Sequence, residues 1–135
     1  GRPANAAAPG KKPRSSMTPV ILLTRDGRFA GAFGSAGGNA ILAYVAKSLV
    51  AAVDWKMPVQ QAIAAPNLVA RGPNFQGEIN KFPPAVLAGL RARGIELKPG
   101  QGEDSGVHGV MIREGGRVDG GFDPRREGVV LTLPR

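Results

Sequence analysis

A glycine loop, Gly34-Ser35-Ala36-Gly37-Gly38, runs straight into the longest apolar stretch of the chain, and this junction narrows the folds open to it. Asn39 is a good helix N-cap. After it, Ile41, Leu42, Val45, Leu49 and Val53 recur at helical spacing, with Ala46 and Val50 widening the stripe. This predicts one principal core helix entered through a glycine turn. Elsewhere 20 glycines and 12 prolines cut the 135 residues into short elements. The apolar run Val20 to Leu23, the turn signal Asp26-Gly27 and the segment Arg28 to Phe33 predict a hairpin whose first strand is buried on both faces.

Pro58 suits the first turn of a short helix through Ala65, which Pro66 ends. A third helix is expected from Pro83 or Pro84, turning Val86, Leu87 and Leu90 inward and stopping at Gly94 after Arg91 and Arg93. Ile95 to Leu97 reads as a short strand. Gly106 to Arg113 and Arg117 to Phe122 read as a second hairpin about Glu114-Gly115-Gly116, with Val129 to Leu133 a last strand. Hairpins around a block of helices predict an α/β (α+β) layered fold with a largely antiparallel sheet.

A length of 135 residues fits one domain with a real core. No apolar run reaches the roughly 18 residues of a membrane span; the longest, Ala40 to Val53, is broken by Tyr44, Lys47 and Ser48. A soluble chain is expected. The first residues carry no initiating Met, apolar core or cleavage pattern, so no targeting peptide is visible and the true start is expected upstream. With no cysteine, disulfides and thiolate metal sites are excluded. The net charge of +8 is partly concentrated in Arg2, Lys11, Lys12 and Arg14, and residues 1–14 read as an extended basic arm. The other basic residues are scattered and not interleaved with aromatics, which argues against a nucleic-acid platform and for a solubility feature or a field that steers acidic ligands.

Two motifs carry chemistry. Ser15 and Ser16 lie between Pro13 and Pro19, just ahead of the first strand, where their hydroxyls can be offered to an anion. No G-x-S-x-G elbow surrounds any serine, so binding is favoured over attack; serines beside prolines also simply satisfy turns. The glycine loop lacks both the Lys-Ser/Thr ending of a nucleotide P-loop and the G-x-G-x-x-G spacing of a dinucleotide site. What it offers is unpaired N–H groups at a helix start, suited to a carboxylate or a developing oxyanion, unless the glycines serve only a tight turn. His108, the one histidine, can be joined on paper with Asp104, Asp119 or Asp123 and with Ser15, Ser16 or Ser35. It reads instead as a hydrogen-bonded strand residue, and one histidine with dispersed carboxylates makes no metal site. Asp123-Pro124-Arg125-Arg126 reads as local, exposed ion pairs about a turn.

Taken in order, Pro9-Gly10-Lys11-Lys12-Pro13-Arg14-Ser15-Ser16-Met17, Gly34-Ser35-Ala36-Gly37-Gly38 and Asp123-Pro124-Arg125-Arg126-Glu127-Gly128 resemble the P-G-K-R-P-x-S-S-M, G-S-P-G-G and D-P-R segments of γ-glutamyltransferases, also called glutathione hydrolases. The resemblance runs nearly end to end and points to the C-terminal part of the small subunit. It implies part of an N-terminal nucleophile hydrolase αββα sandwich, made by autocleavage, with residues 15–135 the C-terminal portion of the small-subunit domain. It also implies transfer of a γ-glutamyl group from glutathione or a similar donor to water or an amine through a threonine acyl-enzyme. Carried over by position, Ser15 and Ser16 bind the α-carboxylate, and the N–H groups of Gly37 and Gly38 form the oxyanion hole. No cofactor is implied. Ala36 stands where the family has proline, and the nucleophile threonine is not among these residues. The chain is therefore expected to be a fragment, inactive alone. Its expected partners are the large subunit and the rest of the small subunit, and its expected location is periplasmic or extracellular. The alternative is a non-catalytic module that captures a small carboxylate or phosphate with the same groups.

Overall fold

The computed structural model describes residues 6–100 and 102–131. Seven strands and three α-helices follow in the order β1 (Val20–Leu23), β2 (Phe29–Gly34), α1 (Ile41–Val53), α2 (Val59–Ala64), β3 (Leu68–Arg71), β4 (Asn74–Gly77), α3 (Pro84–Ala92), β5 (Leu97–Pro99), β6 (His108–Ile112) and β7 (Val118–Phe122). Two sheets form. The four-stranded one has the order β1-β2-β6-β7 and is antiparallel throughout. The three-stranded one, β3-β4-β5, pairs β3 with β4 antiparallel and β4 with β5 parallel. The result is a mixed α/β fold with a largely antiparallel sheet.

Helices α1 and α2 pack together, and α2 covers β6 and β7. Glycines permit that approach. Register aligns Phe33 with Gly109, and Gly109 with Gly121. A Cβ on Gly109 would lie 2.4 Å from the Phe33 ring, and one on Gly121 would lie 2.8 Å from the Gln60 backbone. The ring and the start of α2 therefore sit directly on bare backbone. The Gln60 amide extends the contact, donating to the Phe122 carbonyl at 2.9 Å and accepting from the Phe122 N–H at 3.1 Å. Phe33, Ile41, Tyr44, Val45, Val59, Ile63, Val69 and Val107 are the larger members of the core.

Several sequence expectations shift. Strand β1 is not buried on both faces: Val20 and Leu22 pack against the core, while Ile21 and Leu23 are exposed, because the strand lies at a sheet edge with one covered face. Asn39 does not cap α1. A 3₁₀ turn, Gly38–Ala40, precedes the helix, and Ala40 occupies the cap position without a side-chain bond. The buried face of α1 is Ile41, Tyr44, Val45, Ser48, Ala51 and Ala52, so Leu42, Ala46 and Val50 face outward. Helix α3 begins and ends as expected, with Pro84 at its first position and Gly94 (φ 77°) past its end. There the Gly94 N–H reaches the Arg91 carbonyl and the Ile95 N–H reaches that of Leu90, a double closure of the last turn. None of its side chains is fully buried, and Val86 is exposed.

The hairpin of β3 and β4 was not anticipated, although Gly72-Pro73 is a turn signal and Gly72 takes φ 55°. The expected strand at Ile95 to Leu97 forms two residues later, at Leu97–Pro99. Val129 to Leu131 form no strand and lie irregularly along the outer sheet face, where Val130 packs against Gly120; Pro134, Leu133 and their neighbours from 132 onward lie outside the described residues. Residues 6–14 hold neither helix nor strand, and Arg2 lies outside the described residues. Among the described residues no helix is long and apolar enough to cross a membrane.

Candidate functional site

The hairpin sets the site. Antiparallel pairing of Val20 with Phe33 carries the residues before β1 alongside those after β2. The serine pair thus meets the glycine loop across 22 residues of sequence: the Ser16 hydroxyl donates to the Gly38 carbonyl at 2.6 Å. Ser16 is half-buried and Ser15 exposed. The Ser15 oxygen accepts from the Met17 N–H at 3.2 Å, which leaves its proton for another acceptor. Thr18 donates to the Ser16 carbonyl at 3.0 Å and stiffens the segment.

Gly37 and Gly38 take φ 127° and 51°, values side chains rarely adopt. Their N–H groups stand at the start of the 3₁₀ turn, where backbone donors have no partner within the turn. Gly37 is also tightly placed, since a Cβ there would lie 2.5 Å from Cε2 of Tyr44. Burial raises the Tyr44 phenol above its ordinary range, and its hydroxyl donates to the Glu103 carbonyl at 2.8 Å. Ser35 accepts from the Gly106 N–H at 3.2 Å. Two grooves, of about 520 and 420 Å³, lie elsewhere: one along α1 and β3, the other on the outer face of the large sheet. Neither is lined by Ser15, Ser16, Gly37 or Gly38; Gly37 is buried and Gly38, like Ser16, half-buried.

His108 is exposed, with Nδ1 3.4 Å from the Gly106 carbonyl, and Gly128 lies against its ring. Among the described residues no three His, Asp or Glu side chains could hold a metal.

The Asp123-Pro124-Arg125-Arg126 segment differs from its sequence reading. Its ion pairs are not all local and not all exposed. Arg125 bonds to Asp123 at 3.0 Å and to Glu78, 47 residues away, at 2.9 Å, with side-chain exposures of 6% for Arg125 and 0% for Asp123. Burial would raise the Asp123 carboxyl, but hydrogen bonds from Ser105, Arg125 and the Val107 N–H hold it below its ordinary range. Burial would likewise raise Glu78; Arg125, Lys81 and the Asn67 N–H outweigh it and bring the group to about 2. Arg125 also reaches the Ala65 carbonyl at 3.0 Å, and Lys47 donates to the carbonyls of Ala62, Ile63 and Ala65 at 2.8 to 3.0 Å. Two cations thus close the C-terminal end of α2. Burial, then the neighbouring Arg125 charge, pull the Lys47 ammonium down to about 8. In the sequence Lys47 is legible only as an interruption of the apolar run Ala40 to Val53, because one lysine in such a stripe carries no periodic signal.

A family model described as Gamma-glutamyltranspeptidase matches residues 1–133. The chain belongs to this family. It is 33% identical over 128 residues to a glutathione hydrolase proenzyme of Escherichia coli, covering 93% of this chain and 21% of that protein. It is 32% identical to Scoloptoxin SSD14 of Scolopendra dehaani, covering 94% of this chain and 22% of that protein. A highly active mutant of γ-glutamyltranspeptidase from Pseudomonas nitroreducens superposes with a TM-score of 0.78 at 28% identity, covering all of this chain and 71% of that one. The chain spans about a fifth of the length of these two curated relatives. Membership of the glutathione hydrolase family, and of its N-terminal nucleophile hydrolase proenzymes, follows from these matches.

Proposed function

We propose that the protein containing this chain transfers γ-glutamyl groups from glutathione-like donors, and that this chain supplies two of the grips on the substrate. Ser15 and Ser16 hold the α-carboxylate. The N–H groups of Gly37 and Gly38 stabilise the oxyanion that forms at the γ-carbonyl. A threonine nucleophile from a segment outside these 135 residues completes the chemistry, with the large subunit and the rest of the small subunit of the same precursor supplying the remaining walls. The observation that carries this reading is the Ser16–Gly38 hydrogen bond of 2.6 Å, which makes one unit of the two motifs.

The chemistry fits the parts. A serine hydroxyl donates to a carboxylate as a charge-assisted bond, and backbone amides at a helix start need no reorganisation to meet developing negative charge. Loss of one such donor typically costs about 3 to 4 kcal/mol of transition-state stabilisation. Loss of the nucleophile removes the acyl-enzyme route itself. The 135-residue chain alone is therefore inactive in this reading, and the whole protein works in the periplasm or outside the cell. The test is turnover of a γ-glutamyl anilide by the protein expressed from the complete reading frame, beside the isolated chain. Turnover by the former alone is expected. Robust turnover by the isolated chain, or none by the complete protein, would refute the reading.

A further inference from the structure

The glycine loop is held from behind by residues to which no role has been given. Segment 103–106 touches it at three points and supports it at a fourth through Tyr44. The Glu103 carboxylate lies so close to Gly38 that a Cβ there would sit 2.7 Å from its Oε2. The Glu103 carbonyl accepts from Tyr44, whose ring forms the floor under Gly37. The Gly106 N–H donates to Ser35, and a Cβ on Gly106 would lie 3.4 Å from the Ala36 methyl. Arg126 ties the segment down, with Nε and Nη2 donating to the Asp104 carbonyl at 3.1 and 2.9 Å and Nη2 pairing with Glu103 at 3.1 Å. The Arg126 stem itself packs on Gly106.

We propose that Arg126, acting with Tyr44 through the Glu103–Gly106 segment, is a positioning residue that fixes the Gly37 and Gly38 amides and neutralises the carboxylate of Glu103 beside them. The inference rests on the oxyanion role proposed above. Two physical effects meet here. Oxyanion donors work only when held within a few tenths of an ångström of their target, and Gly37 and Gly38, with no side chains of their own, must be held by neighbours. A carboxylate next to an oxyanion hole also repels the charge the hole exists to stabilise, unless a cation pairs with it. Arg126 answers both needs with one guanidinium. Although Glu103 and Arg126 are exposed enough for their pair to add little to stability, that does not reduce its effect on the amides nearby.

The test uses the complete-frame protein. Arg126→Gln should lower kcat for a γ-glutamyl anilide at least ten-fold while KM stays within two-fold, and Arg126→Lys should recover part of the loss. Adding Glu103→Gln to Arg126→Gln should raise kcat again, because the unpaired charge is gone. Tyr44→Phe, which removes one hydroxyl from the same clamp, should lower kcat several-fold at constant KM and serves if Arg126→Gln fails to fold. A kcat unchanged in both Arg126→Gln and Tyr44→Phe, a loss confined to KM, or no recovery in the double variant would overturn the proposal. Amide hydrogen exchange reads the geometry without turnover: the Ala40 N–H, bonded to the Gly37 carbonyl at 3.0 Å, and the Gly106 N–H, bonded to Ser35 at 3.2 Å, should exchange faster in Arg126→Gln while β2 amides do not. If the unsubstituted protein turns over no γ-glutamyl substrate, the functional reading fails; unchanged exchange at both of these amides sinks the positioning claim separately.

Discussion

Replacing Ser15 and Ser16 by alanine one at a time distinguishes a substrate clamp from a decorated turn, because the two hydroxyls are committed differently. Ser15 keeps its proton for an outside acceptor, whereas Ser16 spends its proton on the Gly38 carbonyl at 2.6 Å. A hydrogen bond to a charged group is worth about 1.5 to 3 kcal/mol, so Ser15→Ala should weaken substrate binding about 10- to 150-fold. Ser16 must first release Gly38, a bond worth about 1 kcal/mol net. Its contribution to binding falls to about 0.5 to 2 kcal/mol, and Ser16→Ala should weaken binding only about 2- to 30-fold. Ser16→Ala should also lose about 1 kcal/mol of fold stability, which exposed Ser15 should not. The assay is KM for a γ-glutamyl anilide and the inhibition constant of glutamate, with denaturant titration of each variant in the complete-frame protein. An unchanged KM in Ser15→Ala, or a larger binding loss in Ser16→Ala with stability intact, refutes this reasoning.

Three further outcomes follow from the structure. Lys47 titrates near 8 when folded against 10.5 as its ordinary value. Between those values the unfolded chain holds more protons on this group, so its contribution makes stability rise with pH, by about 3 kcal/mol in all. Lys47→Met should flatten the measured rise between pH 8 and 10.5, and a slope unchanged by the substitution contradicts the burial argument. Glu78, held at about 2, contributes stability that is present above its ordinary 4.5 and is lost as pH falls toward 2. Glu78→Gln should destabilise the chain by about 3 kcal/mol at neutral pH, since it strips a buried partner from Arg125, and should flatten the acid limb of the pH–stability curve. Gly37→Ala combines φ 127° with a Cβ 2.5 Å from the Tyr44 ring. It should cost about 2 kcal/mol or more in stability and depress kcat, and a wild-type melting curve would show that the loop accommodates a side chain.

The parts legible in the sequence were those with a local physical cause. The turn at Asp26-Gly27, the Pro84 start and Gly94 stop of α3, and the two long hairpins follow from backbone preferences of single residues, and all appear. The core face of α1 was legible in part. Ile41 and Val45 are buried and Leu49 packs against the core as their spacing predicts, but Leu42 and Val50 are apolar yet exposed, while Ser48 is buried with its hydroxyl returned to the Tyr44 carbonyl at 2.9 Å, so apolar spacing alone drew the stripe too wide on one side. Strand β1 shows the same limit, since a run of four apolar residues does not reveal that one face lacks a partner. The meeting of Ser16 with Gly38 depends on the register of β1 and β2, which a hairpin prediction contains only if its loop length is right. Arg125 reaching Glu78 and Arg126 reaching Glu103 depend on tertiary placement across 47 and 23 residues, which no local pattern encodes.

The most direct measurement is a crystal structure of the complete-frame protein with glutamate bound. The α-carboxylate is expected on the hydroxyls of Ser15 and Ser16, with a γ-carboxylate oxygen at about 3 Å from the N–H groups of Gly37 and Gly38. Glutamate held elsewhere, or gripped by the serines while its γ-carboxylate points away from both glycines, would contradict the account.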